Sequence, residues 1–207
     1  MKKRINRGIF LTLALLLCVL LVAFVQTNRM SKEKMAACAV VTEALKEYLD
    51  ARTLPSDVRM DIKNGIASVG GNHTRLMDAK IQEYRRYLET VMYDPMSYST
   101  QLMIDEMLRS AQRSLEKQYN KATQSDKFSI ANIIDGYHLE EKSSTRVGIL
   151  KNSFSINADF TEIVITVEHA VTYDGISATT TERDYSLIKV DGEWKIYATT
   201  LNLNGVS

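Results

Sequence analysis

From Ile9 to Val25 the chain carries seventeen consecutive residues without a charge, nearly all of them apolar. At a helical rise of about 1.5 Å per residue such a run is roughly 25 Å long, the short end of what crosses a bilayer and more than the core of a cleaved signal. From Ser31 the apolar positions become periodic. Ala37, Val41, Ala44, Leu45, Tyr48 and Leu49 fall at three- and four-residue intervals, one face of a helix that continues the first run outward. Leu54-Pro55-Ser56-Asp57 stops it. A less regular stretch ends in Val69-Gly70-Gly71-Asn72, after which Met77, Ile81, Tyr84, Leu88 and Val91 alternate steps of four and three and predict a helix to about Tyr93. Asp94-Pro95 supplies an N-cap and a first-turn proline for the next helix, whose stripe is Ile104, Leu108, Ala111 and Leu115. A turn this short makes the two helices antiparallel neighbours. Their stripes span too few heptads for a dedicated coiled coil, so the pair is expected to pack on its own core. Met92, Met96, Met103 and Met107 around the turn read as flexible core fillers rather than as a metal or peptide site.

Past Ser125 the period becomes alternating, and Val, Ile, Thr, Tyr and Phe dominate. Strands over 161–173, 177–190 and 193–203 are expected to form an antiparallel meander through turns at Asp174-Gly175 and Asp191-Gly192, whose residues suit the positive φ of a tight hairpin. Earlier strands are expected over 128–139, broken at Asp135-Gly136, and over 145–158, bulged at Asn152-Ser153. Strands so long stay soluble by twisting, bulging and wrapping around something, here the helical pair. The fold class is therefore α+β: an N-terminal transmembrane helix, a helical region, then a curved antiparallel sheet packed on a helical pair in a cone-like arrangement. The implied divisions are a basic tail over 1–8, the membrane helix over 9–25, a juxtamembrane helical or linker region over 26–72, and a cone-like α+β domain over 73–207.

Charge and cysteine sharpen this picture. The net charge of +1 hides a split: setting Lys2, Lys3, Arg4 and Arg7 aside from 26 basic residues leaves 22 against 25 acidic ones, a net of −3. A mildly acidic body without a basic stripe argues against nucleic acid as a partner, because phosphate neutralisation dominates such binding. The basic residues before the apolar run place the tail in the cytoplasm and the body outside the membrane. The exit Val22-Ala23-Phe24-Val25-Gln26-Thr27 offers poor small-residue sites for cleavage, and Leu15-Leu16-Leu17 lacks the small residue a lipid-modified Cys18 wants before it, so an uncleaved signal-anchor is expected. With Cys18 inside the run, Cys38 has no disulfide partner in the body and reads as a small, buried apolar residue.

The closing stretch Tyr185-Ser186-Leu187-Ile188-Lys189-Val190-Asp191-Gly192-Glu193-Trp194-Lys195-Ile196-Tyr197, together with the order of elements from about Met77 to Leu203, resembles the nuclear-transport-factor-like, or ketosteroid-isomerase-like, cone fold. Membrane-anchored members of that fold are similar to assembly subunits of type IV secretion and conjugation machines and to envelope proteins of Gram-positive bacteria, which act by binding other proteins. The resemblance transfers no set of active residues.

Along the strand that follows Thr161, alternation puts Ile163, Ile165, Val167, His169, Val171 and Tyr173 on one face. If that face lines a cone, His169 is a titratable imidazole in an apolar pocket to which Tyr173, Tyr185 and Tyr197 add hydroxyls. The competing reading makes His169 a hydrogen-bonded core or rim residue and the tyrosines packing units. Glu168 points to the other face, and no carboxylate shares the apolar one, which disfavours isomerase-like proton transfer. His73, His138 and His169 have no metal-ligand spacing, and neither a phosphate-binding glycine loop nor a nucleophile elbow is present, so no metal, cofactor or catalytic residue is assigned. Asn72-His73-Thr74 has the form of a glycosylation sequon, usable only on a eukaryotic secretory route. The expected function is non-enzymatic: an anchored, extracytoplasmic protein-interaction domain in a cell-envelope assembly such as a secretion or conjugation machine, with other envelope proteins as partners and self-association left open. The alternative is a small-molecule-binding or isomerase-like cone with its pocket on the concave face of the sheet.

Overall fold

The apolar run does not end where its composition changes. In the computed structural model it belongs to α1 (Arg7–Ala51), one uninterrupted 45-residue helix. The structure describes residues 7–66, 71–123, 146–173 and 176–199, with 146–154 and 168–182 defined by their backbone pairing alone. The expected strand over 128–139, the Asp174-Gly175 turn and the start of the basic tail lie outside the described residues. From Leu11 to Val25 the side chains of α1 are exposed, and the helix is long and apolar enough to cross a membrane. Further along, Ala37, Val41, Ala44, Leu45 and Tyr48 of the stripe read from the sequence are buried and Leu49 is partly so, with Ala51 buried beyond them.

The end of α1 is held from a distance. Its last turn tightens, with Arg52 N–H bonded to Leu49 O and Thr53 N–H to Asp50 O. Gln118 Nε2 and Ser114 Oγ donate to the free Arg52 carbonyl at 2.6 and 3.3 Å. Helix ends carry carbonyls with no partner of their own, and here a later helix satisfies one. Pro55 then opens α2 (Ser56–Lys63), a short helix within the stretch read as irregular; it buries Val58, Arg59 and Ile62. His73, at the start of α3 (Asn72–Val91), is fully buried and joins three helices: Nε2 meets Asp61 Oδ2 at 2.9 Å and Nδ1 meets the Tyr119 hydroxyl at 3.3 Å.

α4 (Tyr98–Thr123) begins later than Asp94-Pro95 led us to expect. Asp94 takes φ +43°, outside the extended range of an N-cap, so the cap passes to Ser97, whose hydroxyl accepts from Thr100 N–H at 3.3 Å. Asp94 to Ser97 instead forms a tight turn, closed by Ser97 N–H on Asp94 O. The stripes of α3 and α4 are otherwise those predicted: Ile81, Tyr84 and Leu88 on one helix and Ile104, Leu108, Ala111 and Leu115 on the other are buried.

Four strands follow, β1 (Arg146–Ile156), β2 (Glu162–Tyr173), β3 (Ile176–Val190) and β4 (Glu193–Thr199), in one curved antiparallel sheet of order β1-β2-β3-β4. The β1–β2 register shifts between Ile149 and Phe154, the interval that holds the expected Asn152-Ser153 bulge. Asp191 and Gly192 join β3 to β4 at φ +50° and +89°, the pair of positive values a two-residue hairpin demands. The inner face of the sheet contributes Ile163, Ile165, Val167, Tyr185, Leu187, Trp194 and Ile196 to a single core with α1, α2, α3 and α4. The molecule is thus α+β: a long apolar N-terminal helix, further helices, then a curved sheet. Residues 37–62 share the core of the later elements.

Candidate functional site

Of the tyrosines expected to share one pocket, Tyr185 and Tyr197 occupy two places. Tyr185 on β3 is 2% exposed and faces the helices. Tyr197 on β4 alternates with the buried Trp194 and Ile196, so it faces the other way and is 42% exposed. A register shift between Ser186 and Leu187 opposite β4 adds a residue at this point, a bulge beside Tyr197. His169 pairs through its backbone with Val147 and Thr181, two pairs past Val167–Arg183. Tyr173 pairs with Ile176; the side chains of His169 and Tyr173 lie outside the described residues.

Around Tyr185 the inner face is unexpectedly polar. Arg183, two residues earlier and on the same face, stacks over the Tyr48 ring at 4.5 Å and donates from Nη2 to its hydroxyl at 3.2 Å. Arg52 approaches the same tyrosine, 5.1 Å over the ring and 3.1 Å from Nη1 to the hydroxyl, and Ser110 Oγ lies 3.4 Å away. Tyr84 adds a tilted ring at 6.4 Å. Burial would push the Tyr48 phenol up, but Arg183 and Arg52 outweigh it and hold the phenol below its ordinary range. Tyr185 and Tyr84 move the other way, driven up by burial, and for Tyr185 Arg183 only partly offsets this. Burial opposes the charge on Arg183, yet Tyr48 and Tyr185 more than compensate, so the guanidinium stays charged. Its Nε and the Tyr84 hydroxyl are buried without a hydrogen-bond partner. A half-buried guanidinium among phenols, with its Nε unpartnered beside an unpartnered tyrosine hydroxyl, has donors chemically able to receive an anion.

The second place is on the surface. Met92 bridges Ile196 in parallel, and Tyr93 N–H donates to Ile196 O at 2.8 Å, so the turn after α3 extends the sheet beyond β4. Met92 and Ile196 are both buried; the next residue on each strand, Tyr93 and Tyr197, therefore emerges on the outer side. Met96 and Tyr98, at 82% and 80% exposure, and Leu102 one turn further along α4 are further exposed apolar side chains on the segment that follows. The sequence reading took the methionines near this turn as core fillers. That holds for Met92 and Met107, which are buried, while Met96 is thrust outward by the tight turn at Asp94.

Sequence reasoning singled out Tyr185 but not Arg183, Arg52 and Tyr48 as a group. The available signal was parity: an arginine two places before Tyr185 on a strand must share its face. Also unforeseen was a clamp at the other end of the body, where Glu33 on α1 takes both carboxylate oxygens to within 2.6 Å of Lys189 Nζ and accepts from Trp194 Nε1 at 3.1 Å. Among the described residues no three His, Cys, Asp or Glu side chains converge as a metal site requires.

No protein-family model matches the chain, and no curated protein does. Among solved structures it is similar to a phospholipid-binding protein from Ralstonia solanacearum, determined in complex with a phospholipid, at 16% identity and a TM-score of 0.31 over 80% of this chain and 78% of that one. It is also similar to the intermembrane-space region of the chloroplast protein ARC6, at 16% identity and a TM-score of 0.17 over 36% of this chain and 65% of that one.

Proposed function

We propose that this chain is a non-enzymatic docking module of the cell envelope: α1 crosses the cell membrane once with the N-terminus in the cytoplasm, and the body outside binds other envelope proteins, as members of the cone fold in secretion and conjugation machines do. The observation that carries this reading is the exposure of Tyr93, Met96, Tyr98 and Leu102, on the segment from the turn after α3 into α4, and of Tyr197 on the strand which that turn bridges. Large aromatic and methionine side chains left in water are the residue types enriched where proteins meet. The basic tail before the apolar run supports the orientation.

A second reading rests on the array around Arg183: a cone that binds a small anion on its inner face, with the backbone of His169 two pairs further along β2. One experiment separates the two. Photo-crosslinking residues are placed at Tyr98 and, as a control, at the exposed Lys46 of the full-length protein in its native cells. Docking predicts the same envelope protein captured through position 98 and not through 46, with capture lost in M96S/Y98S and unaffected by R183M. No reproducible adduct at 98, together with phosphate binding that R183M abolishes, overturns docking in favour of the anion-binding cone.

A further inference from the structure

The unbroken α1 turns residue number into height above the membrane. At about 1.5 Å per residue, Arg29 lies roughly 6 Å and Glu33 roughly 12 Å beyond Val25, the last residue of the apolar run. The headgroup layer of one leaflet is about 5–7 Å thick, so Arg29 sits at its outer margin. At this height Arg29 is not alone. Its guanidinium lies 4.8 Å over the ring of Phe160, at the tip of the turn between β1 and β2.

Two features make that turn more than a connection. It is stiff: Asn157 Oδ1 accepts from Thr161 N–H at 2.8 Å and Glu162 N–H at 3.1 Å, Asn157 Nδ2 donates to Thr161 Oγ1 at 2.8 Å, and Lys189 N–H donates to Thr161 O at 2.7 Å. Through Lys189 it is tied to Glu33, so it keeps its height relative to α1. It is also strained, because Phe160 adopts φ +59°, where a bulky side chain is an outlier and glycine or asparagine is the ordinary choice. Phe160 is only partly buried and stands outside the core. A bulky ring kept in a disfavoured backbone conformation, off the core and beside a cation, calls for a third surface.

We infer that this surface is the phospholipid headgroup layer: Phe160 rests its ring in the membrane interface while Arg29 bonds lipid phosphate, giving the body a second lipid contact besides α1. Aromatic rings and arginine are the side chains suited to that boundary, one for the apolar margin and one for phosphate. Asp159 and Asp191 lie in this turn and in the nearby β3–β4 turn, so the contact is local and phosphate-directed, not a general attraction to anionic lipid. This rests on the tethering proposed above. Its consequence is that the body holds one orientation over the bilayer, with the surface around Tyr98 turned consistently toward partners.

The test uses the full-length protein in vesicles of equimolar phosphatidylcholine and phosphatidylglycerol carrying bromine near the top of the acyl chains. Trp194, the chain's only tryptophan, is buried and serves as the internal reference. In F160W the added fluorescence should be largely lost to bromolipid and shielded from aqueous iodide, and R29Q should reverse both effects. Should the F160W variant fail to fold, a nitroxide on A158C in a C18A/C38A background reports the same depth by its collision rates with oxygen and with a water-soluble nickel chelate. Vesicle flotation separates the two levels of the proposal. Protein that floats while position 160 or 158 behaves as water-exposed overturns the second contact and leaves the anchor standing; protein that does not float overturns both.

Discussion

Glu33 is the residue on which the junction between helix and body turns. Its side chain is 15% exposed and Lys189's is 23%, so their pairing is partly shielded from water, and Trp194 adds a neutral donor. The hydrogen bond from Lys189 is the largest influence and lowers the Glu33 carboxyl from its ordinary 4.5; burial opposes it, and the Lys189 charge, Trp194 and Arg29 assist. A carboxylate whose pKa is depressed on folding stabilises the fold above the unfolded value and loses that contribution as pH falls through the folded value. Denaturant midpoints of the protein in detergent should therefore fall as pH drops from about 4.5, and E33Q should flatten this acid limb. At neutral pH the substitution should cost about 1.5–3 kcal/mol, the range for hydrogen bonds to a charged group. Acid sensitivity unchanged by E33Q would mean the clamp contributes nothing. The pairing was not legible in sequence because 156 positions separate its members and neither lies in a motif. Tyr48 illustrates a different failure: counted as apolar in the α1 stripe, it does fill that stripe, but its hydroxyl end receives two guanidinium groups that no periodicity test registers.

At the level of elements, the sequence was most informative where burial repeats with the period of the backbone. The buried faces of α1, α3 and α4 coincide with their stripes because each helix meets the core along one side only, the condition under which apolar spacing reports structure. What failed were local signals that tertiary contacts override. Asp94-Pro95 looks like a helix start, yet the chain there must first reach the edge of β4, and Tyr93 and Thr100 secure that detour through Ile196 O and Tyr93 O. The eight-residue α2 was hidden because its stripe is too short to establish a period. The Asp191-Gly192 turn was readable since its residue types answer a backbone requirement that no distant contact can change. A Cβ on Gly192 would meet nothing within 4 Å, but at φ +89° it is strained in any surroundings. G192A should accordingly destabilise by about 1–2 kcal/mol in denaturant melts, without altering the native spectrum. A neutral effect would show that the turn relaxes to another type.

The whole molecule depends on α1, a helix long and apolar enough near its start to cross a membrane and buried in the core further along. The sequence divides a juxtamembrane helical or linker region over 26–72 from an α+β domain over 73–207. In the packing, Val41, Leu45, Leu54, Val58 and Ile62 of the first are all buried in the core that the later helices and the sheet share. Fully burying one such side chain is worth about 1.5–3 kcal/mol, so these five together contribute roughly 8–15 kcal/mol. That equals the entire net stability of an ordinary domain, about 5–15 kcal/mol. A fragment comprising 73–207 should therefore lack a cooperative thermal transition and show collapsed amide dispersion, whereas one comprising 29–207, which keeps the buried part of α1 and both Arg29 and Glu33, should melt as a unit. Cooperative melting of the shorter fragment would establish that the sheet and the α3–α4 pair form a core of their own. If instead only the longer one folds, any tilt of the apolar segment in the bilayer proposed above must move the body as a rigid extension, because that segment and the core helix share one continuous backbone.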